Sequence, residues 1–348
     1  MSGKADKVDI TPPQPRAGEG LHAGKLSPDL LRATVFPYTG AVRTDVLVPA
    51  ATGEDAAVLD FGDWACVAST DPITGAVERA GWYAVHVACN DLAAAGAEPV
   101  GLLLTLLLPV GAGAGVVQRV MAEAHEGAAA LGVAIVGGHT EVTPAVTRLV
   151  ISATAIGRAA KGRWLRTGGA QIGNDLILTK AAGLEGTSIL AADAADKLAG
   201  RVPPDVLERG RHFVNELSVV ADAAAAVKLG ATAMHDATEG GILGAACELA
   251  VASGLGVEIR AGQVPIRPET KMICDVLGLD PLRLISSGAL LVAAPQGDVV
   301  AASLRQTGVE ATVIGRLIDD GFYMVRGGRR ESIVPSSDDE LWRVLAPS

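Results

Sequence analysis

The sequence is poor in aromatics, at 3% Phe, Trp and Tyr, and has only four cysteines, Cys66, Cys89, Cys247 and Cys274. No CxxC pair occurs, which argues against structural zinc and against a dithiol redox motif. Each cysteine lies in an apolar or helical stretch, so all four read as small core residues of a cytoplasmic chain. Positive charge is also short: 29 Lys and Arg against 39 Asp and Glu leave a formal net charge of −10. That balance excludes nucleic acid and anionic membranes as main partners. A phosphate-binding loop is missing. Gly24-Lys25 would need a glycine at 19, where the chain has Glu19, and Ser or Thr after Lys25, where it has Leu26; no GxGxxG occurs either. The first eighteen residues lack the apolar core of a signal peptide and read as a disordered tail. One uncharged run, 99–117, has the length of a membrane span, but Pro109 and the glycines at 101, 111, 113 and 115 break it. A buried strand at 102–108 and a loop at 111–115 are expected instead.

Ala, Val, Leu and Gly are abundant, a composition suited to strands alternating with tightly packed helices, and 348 residues suit two domains. Three acidic signals mark 53–99: Gly53-Glu54-Asp55, Ser69-Thr70-Asp71-Pro72 and Asn90-Asp91-Leu92. Any one of these Asp residues alone would read as a turn or helix-start residue. Their grouping favours a ligand. Asp71 closes the buried strand reading of 64–68, and strand ends are where α/β proteins bind ligands. Trp82, Val85, Cys89, Leu92 and Gly96 recur at helical spacing, which puts Asn90 and Asp91 inside a helix ending at Gly96. Gathered carboxylates repel unless a cation sits among them, and Mg²⁺ bridging to a polyphosphate is one solution, so the stretch reads as a Mg-ATP site. Lys25, before the Ser27-Pro28 helix start, is either a phosphate contact or a solvated lysine.

The helical face over 116–131 ends at Gly132, and Val133-Ala134-Ile135-Val136 follows as a strand. It runs into Gly137-Gly138-His139-Thr140-Glu141, read as a turn whose N–H groups can meet phosphate oxygens. Another strand covers 148–156. Residues 158–174, with Arg158, Lys161, Arg163 and Arg166 among glycines, read as a surface linker. Asp175 to Lys180 reopens the pattern with a strand; helices are expected over 187–198 and 204–229. Then comes His235-Asp236-Ala237-Thr238-Glu239-Gly240-Gly241, between a strand and an Ala-rich helix. Asp236, at the strand end, is a ligand candidate there, whereas His235 alone reads as structural. Strands at 257–260, 289–294 and 312–317 and a helix after Pro268 complete the pattern. The expected organisation is a tail at 1–20, a first domain at 21–157, a linker at 158–174, a second domain at 175–330 and a tail or short helix at 331–348.

In order, GEDAAVLD, STDPITG, NDLAAAGAEP, GGHTEVTP, LTKAAGLEGTSILA, HDATEGGI and SSGALLVAAP resemble the motifs of the aminoimidazole-ribonucleotide synthetase (PurM) superfamily. Within it they are most similar to the hydrogenase-maturation family HypE and to AIR synthase-related proteins, from Gly24 to Arg326. The resemblance implies a two-domain α/β (α+β) PurM-like fold and a homodimer whose N-terminal sheets pair into a barrel, with the nucleotide in a cleft bordered by both domains. It implies ATP and Mg²⁺ as cofactors. Asp71, Asp91 and Asp236 then take catalytic positions, and Lys25, Asp55, Asn90, Gly137, Gly138 and Thr140 contact the nucleotide. Asp55, Asp71 and Asp91 become metal ligands; several relatives, thiamine-monophosphate kinase among them, have an acid where this chain has His139, so that one further metal contact is either missing or supplied by Glu141.

The implied activity is Mg-ATP-dependent phosphorylation of an oxygen on an amide- or carboxylate-like group, on a small molecule or a partner protein, within a metalloenzyme-maturation complex. Enzymes like thiamine-monophosphate kinase or the purine synthetase, and a catalytically silent ATP-binding partner, are the alternatives. A selenophosphate synthetase is disfavoured, since no cysteine lies in the glycine-rich N-terminal segment. HypE proteins end in a cysteine that carries the carbamoyl and then the cyano group. This sequence has Val344-Leu345-Ala346-Pro347-Ser348 there and no cysteine after Cys274, so it is not expected to build a thiocyanate on its own C-terminus.

Overall fold

The computed structural model describes residues 24–335 and 339–345, so the tail expected at 1–20 lies outside the described residues. Ser27 caps α1 (Pro28–Thr34) by accepting from the Leu30 N–H, with Pro28 in the first turn as expected. Strands β1 (Val46–Val48), β2 (Ala57–Phe61) and β3 (Trp64–Ile73) lead into α2 (Ala80–Ala94). There follow β4 (Glu98–Leu108), α3 (Ala114–Leu131), β5 (Ala134–Val142) and β6 (Val150–Ala160). The sheet order is β1-β2-β3-β6-β4-β5, and within it only the β4–β5 pair is parallel.

Helix α2 is buried along its whole length, as a helix apolar on every side must be. It can lie so close to α3 because Gly81 has no side chain: a Cβ there would come within 2.1 Å of the Val120 carbonyl oxygen. The exact boundaries of two strands differ from the sequence reading. β3 does not stop short of Asp71, because β6 pairs with it residue by residue from Trp64 to Ile73 and carries Thr70 and Asp71 inside the ladder. β5 likewise runs straight through Gly137, Gly138, Thr140 and Glu141, since β4 pairs with it as far as Leu108 and Val142. The expected turn is therefore an extended edge strand. Gly138 serves close approach, with φ +143 and a Cβ position 1.9 Å from the Leu104 carbonyl oxygen.

The second half opens with β7 (Asp175–Thr179), α4 (Leu184–Asp193) and α5 (Ala195–Leu198). The expected helix over 204–229 is broken into α6 (Pro204–Arg211), a 3₁₀ turn at His212–Glu216 and α7 (Val220–Lys228). Then come β8 (Ala233–Asp236), α8 (Gly241–Ala252), β9 (Gly256–Arg260), α9 (Pro268–Leu277), β10 (Leu290–Ala294), α10 (Gly297–Gln306) and β11 (Ala311–Ile318). β11 is not the last strand: β12 (Phe322–Arg326) joins β9 in parallel and β13 (Arg329–Ser332) pairs with β12. The sheet runs β13-β12-β9-β11-β7-β10-β8, and α11 (Trp342–Leu345) returns to the first half.

Residues between β6 and β7 are more than a surface linker. Thr167, Ala170 and Asn174 are buried, and Arg166 grips Glu54 with two hydrogen bonds of 3.0 and 2.8 Å. Asn90 joins the halves from the other side: its amide donates to Leu217 O at 2.8 Å and accepts from Val219 N–H at 2.9 Å. Burial pushes the thiols of Cys89, Cys247 and Cys274 up to about 12, in keeping with a packing role. Cys66 departs from that reading, being only half-buried on β3. Among the described residues no helix is long and apolar enough to cross a membrane.

Because the Asn90 amide is spent on the two halves of the fold, Asn90→Ala is expected to lower unfolding stability by about 2 kcal/mol in urea denaturation, while nucleotide affinity shifts by less than about threefold. An unchanged midpoint with lost nucleotide affinity would return Asn90 to the binding site.

Candidate functional site

A cavity of roughly 760 Å³ opens where the segment before α1, the β1–β2 loop, β3 and α2 meet α4 and the β8–α8 turn. Asp55 reaches it from the loop before β2, Asp71 from β3, Asp91 from the last turn of α2 and Asp236 from the last residue of β8. Lys25 borders the same space. These five are thus brought together, from four separate elements and the segment before α1.

Three of the groups crowd most closely. One ligand atom each from Asp55, His235 and Asp236 lies within 4.8 Å of the others. His235 Nδ1 sits 2.5 Å from Asp55 Oδ1, though without the alignment of a hydrogen bond, and Nε2 is 3.0 Å from Glu248 Oε2. Burial works against a charged imidazole here, but the Asp55 and Glu248 carboxylates outweigh it and raise His235 to about 10. Glu248 in turn is held below its ordinary value: burial opposes this, and His235 and Lys25 prevail. Lys25 Nζ lies 3.8 Å from Glu248.

The remaining carboxyls have too little positive charge around them. Asp91 accepts a 2.5 Å hydrogen bond from Ser69 Oγ, yet burial first, and then the charges of Asp71, Asp236 and Asp55, push it well above the carboxylate range. Burial likewise raises Asp71, and burial with the Asp55 charge raises Asp236 to about 7. Asp71 Oδ2 and Asp236 Oδ2 are buried without a hydrogen-bond partner among the described residues. Carboxylates converging from four elements, two of them with an unpartnered oxygen, match what Mg²⁺ asks of a protein: a few hard oxygen ligands, with the remaining positions left to water and phosphate. The donor set fits that cation.

Other expected site residues are elsewhere. Asn90 is committed to Leu217 and Val219 and does not border the cavity. Gly137, Gly138, Thr140 and Glu141 lie on β5, with β6 and β4 between that strand and β3, and none lines the cavity of this chain. Glu141 is exposed and lies 3.4 Å from His139, its neighbour on the same face, so within one chain it is not a ligand of the cation that Asp71 and Asp91 would hold. Conversely, His235, Glu248, Ser69 and Glu185 were not singled out by sequence. Only His235 carried a signal, its place beside Asp236 at a strand end; Glu248 becomes its partner because α8 folds back over β8.

Fold and site together define a two-domain α/β protein with a carboxylate-lined ligand cavity between its halves. The profile of "AIR synthase related protein, N-terminal domain" matches residues 53–159, and that of the corresponding C-terminal domain matches 171–326. The chain belongs to this family. It is similar to carbamoyl dehydratase HypE of Rhodobacter capsulatus, at 31% identity over 312 residues, covering 87% of this chain and 89% of that one. Its fold is that of the HypE in a HypE–HypF complex (TM-score 0.69, 22% identity, 81% of this chain and 93% of the other). It is also that of a hydrogenase-maturation HypE in complex with ATP (TM-score 0.65, 23% identity, 90% and 94%).

The His235 environment makes a pH prediction. Its folded value, about 10, lies above the ordinary 6.5, so the stability it contributes is complete below pH 6.5 and is lost as pH rises through 10. In the metal-free protein, urea unfolding between pH 6.5 and 10 should show this decline, at up to about 1.4 kcal/mol per pH unit. His235→Gln should flatten it; equal slopes in the two proteins would count against the Asp55–His235–Glu248 contact.

Proposed function

We propose that this protein is a HypE-like, Mg-ATP-dependent enzyme that activates the oxygen of an amide- or carboxylate-like group by phosphorylation, in the maturation of a metalloenzyme. The observation that carries the reading is the convergence of Asp55, Asp71, Asp91 and Asp236 on one cavity, with buried oxygens unpartnered on Asp71 and Asp236. The similarity to a carbamoyl dehydratase and the shared fold with a HypE that binds ATP support it. Bound there, Mg²⁺ would neutralise charge on the transferring phosphoryl group. The protein's own contribution is positional. Asp71 is fixed in the β3–β6 ladder and Asp91 in a fully buried helix, so neither needs to reorganise when a ligand enters. Lys25, already near Glu248, stands where a phosphate oxygen could replace that carboxylate as its partner.

A second protein of the maturation machinery is the partner this reading calls for, in line with the HypE–HypF complex of the fold relative. Four free thiols suit a cytoplasmic setting. A homodimer through the N-terminal sheet is part of the same proposal. Edge strand β5 is almost wholly exposed, and Trp64, Val100, Leu103, Val136 and Val142 are exposed apolar residues of that sheet. Such an edge invites pairing with a second copy. Pairing is also the way in which Gly137, Gly138 and Thr140 could come to a nucleotide.

Calorimetry should show ATP binding that requires Mg²⁺, weakened at least about tenfold in Asp71→Asn and in Asp236→Asn. Unchanged affinity in both variants would remove the basis of the site. In sedimentation at micromolar concentration the chain should run as a dimer, and a monodisperse monomer would contradict the pairing through β5.

A further inference from the structure

A second cavity, of roughly 390 Å³, lies between α10 and the sheet of the second half, and it shares no lining residue with the cavity described above. Its size falls within the range of small-ligand pockets. Asp298 and Arg305 line it from α10, and Asp175 and Val313 from β7 and β11 beside that helix. Arg260 and Gln263 close the other side, from the end of β9 and the 3₁₀ turn at Ala261–Gln263.

The charges of this cavity are sorted by sign. Gly297 N–H donates to Asp175 Oδ2 at 2.8 Å, and a Cβ on Gly297 would come within 2.4 Å of Asp175 Cβ, so β7 begins hard against the first turn of α10. Asp175 and Asp298 therefore share one end. Arg305, in the last turn of α10, donates to Ala311 O at 2.5 Å, and Ala311 pairs with Thr179 at the opposite end of β7 from Asp175. Seven residues of helix put about 10 Å of axial rise between Asp298 and Arg305. Across β11, Asp175 is level with Glu258, and Arg260 lies two residues further along β9, toward the Ala311 end. Both arginines are thus displaced from the two acids.

Within the protein these charges do not satisfy one another. Among the described residues no ion pair joins the two acids to the two arginines, and Arg260, Gln263 and Asp298 make no side-chain hydrogen bond. Helix ends explain part of the pattern, since an acid in the first turn of α10 and an arginine in the last complement its dipole. They do not explain Arg260 and Gln263, which come from other elements. Nor does the nearest acid on its own strand neutralise Arg260, because Arg316 and Arg330 already share Glu258 at 3.0 and 3.1 Å. A lone anion drawn to Arg260 and Arg305 would meet Asp175 and Asp298 in the same space, and a lone cation would meet the arginines. A ligand carrying both charges, held apart, satisfies both ends.

We propose that the cavity between α10 and β9 binds an extended zwitterion of the amino-acid class, with its carboxylate on Arg260 and Arg305 and its ammonium on Asp175 and Asp298. A guanidinium meets a carboxylate with two parallel N–H bonds, and the Gln263 amide adds a neutral donor beside it. A basic amino acid or a short peptide carries its charges far enough apart to reach both ends; a molecule whose charges are adjacent, such as glycine, does not. The site is independent of the nucleotide cavity and of the function proposed for it.

The test uses the full chain and 6-aminohexanoate, a flexible zwitterion with its charges at opposite ends, and takes hexanoate and hexylammonium as the single-charge analogues. Binding is read by saturation-transfer NMR titration. 6-Aminohexanoate should bind, and each analogue should bind at least about tenfold more weakly. Its Kd should rise about tenfold or more in Arg260→Gln and in Asp298→Asn. Both positions are exposed, and an unchanged thermal midpoint certifies that each variant is folded. Should Asp298→Asn fail that check, Arg260→Gln and the three probes on wild type decide the matter. The site is overturned if wild type does not bind 6-aminohexanoate, or if either analogue binds as tightly. It is equally overturned if a folded variant binds 6-aminohexanoate as wild type does.

Discussion

Burying several carboxyls beside one another is the constraint around which this molecule is arranged. Asp71, Asp91 and Asp236 are each raised by burial; the charges of Asp71, Asp236 and Asp55 add to the shift at Asp91, while Lys25 opposes it at Asp71 and His235 at Asp236. His235 supplies one internal cation, held between Asp55 and Glu248, and Lys25 a second at the rim. The rest of the negative charge is a standing preference for a divalent ion and its phosphate ligand.

That preference is set by packing as much as by charge. Helix α2 presents Asp91 to the cavity only because its other faces are sealed, against the sheet, against α3 through the Gly81 contact, and against the second half through Asn90. Arg166 and the Thr167 N–H hold Glu54, and so the loop that aims Asp55. The segment between the halves is thus a positioning element of the site. The same economy holds at the other end of the cavity, where Ser286 and Ile285 clamp the start of α4 and leave Glu185 and Ser287 facing inward.

Much of this was legible in the residues. The spacing of Trp82, Val85, Cys89 and Leu92 placed Asp91 on a helix, and the strand-then-glycine pattern placed Asp236 at a strand end; both stand. Glycine misled at 137–138. Two adjacent glycines look like a turn, but here they let an extended strand lie close against β4, a use of small size that local sequence does not distinguish from a bend. Asn90 misled for a related reason: adjacency to Asp91 suggested a shared ligand, while the helix turns neighbouring side chains about 100° apart, so one faces the cavity and the other the second half.

By itself the sequence determined which residues could carry negative charge into an apolar setting, the periodicities that make them helix or strand, and the family to which the motif order belongs. Those are local properties, set by side-chain chemistry and by repeats of 2 and 3.6. Tertiary structure alone decided which acids meet. His235 and Glu248 are 13 residues apart, and Asp55 is far from both, yet they form one cluster because α8 folds over β8 and the loop before β2 crosses the domain boundary. Gly183 and Ser286 come together in the same way, through a hydrogen bond across 103 residues that no spacing records. A carboxylate's pKa and its lack of a partner depend on what surrounds it within a few ångströms, and that surrounding exists only once the chain has folded.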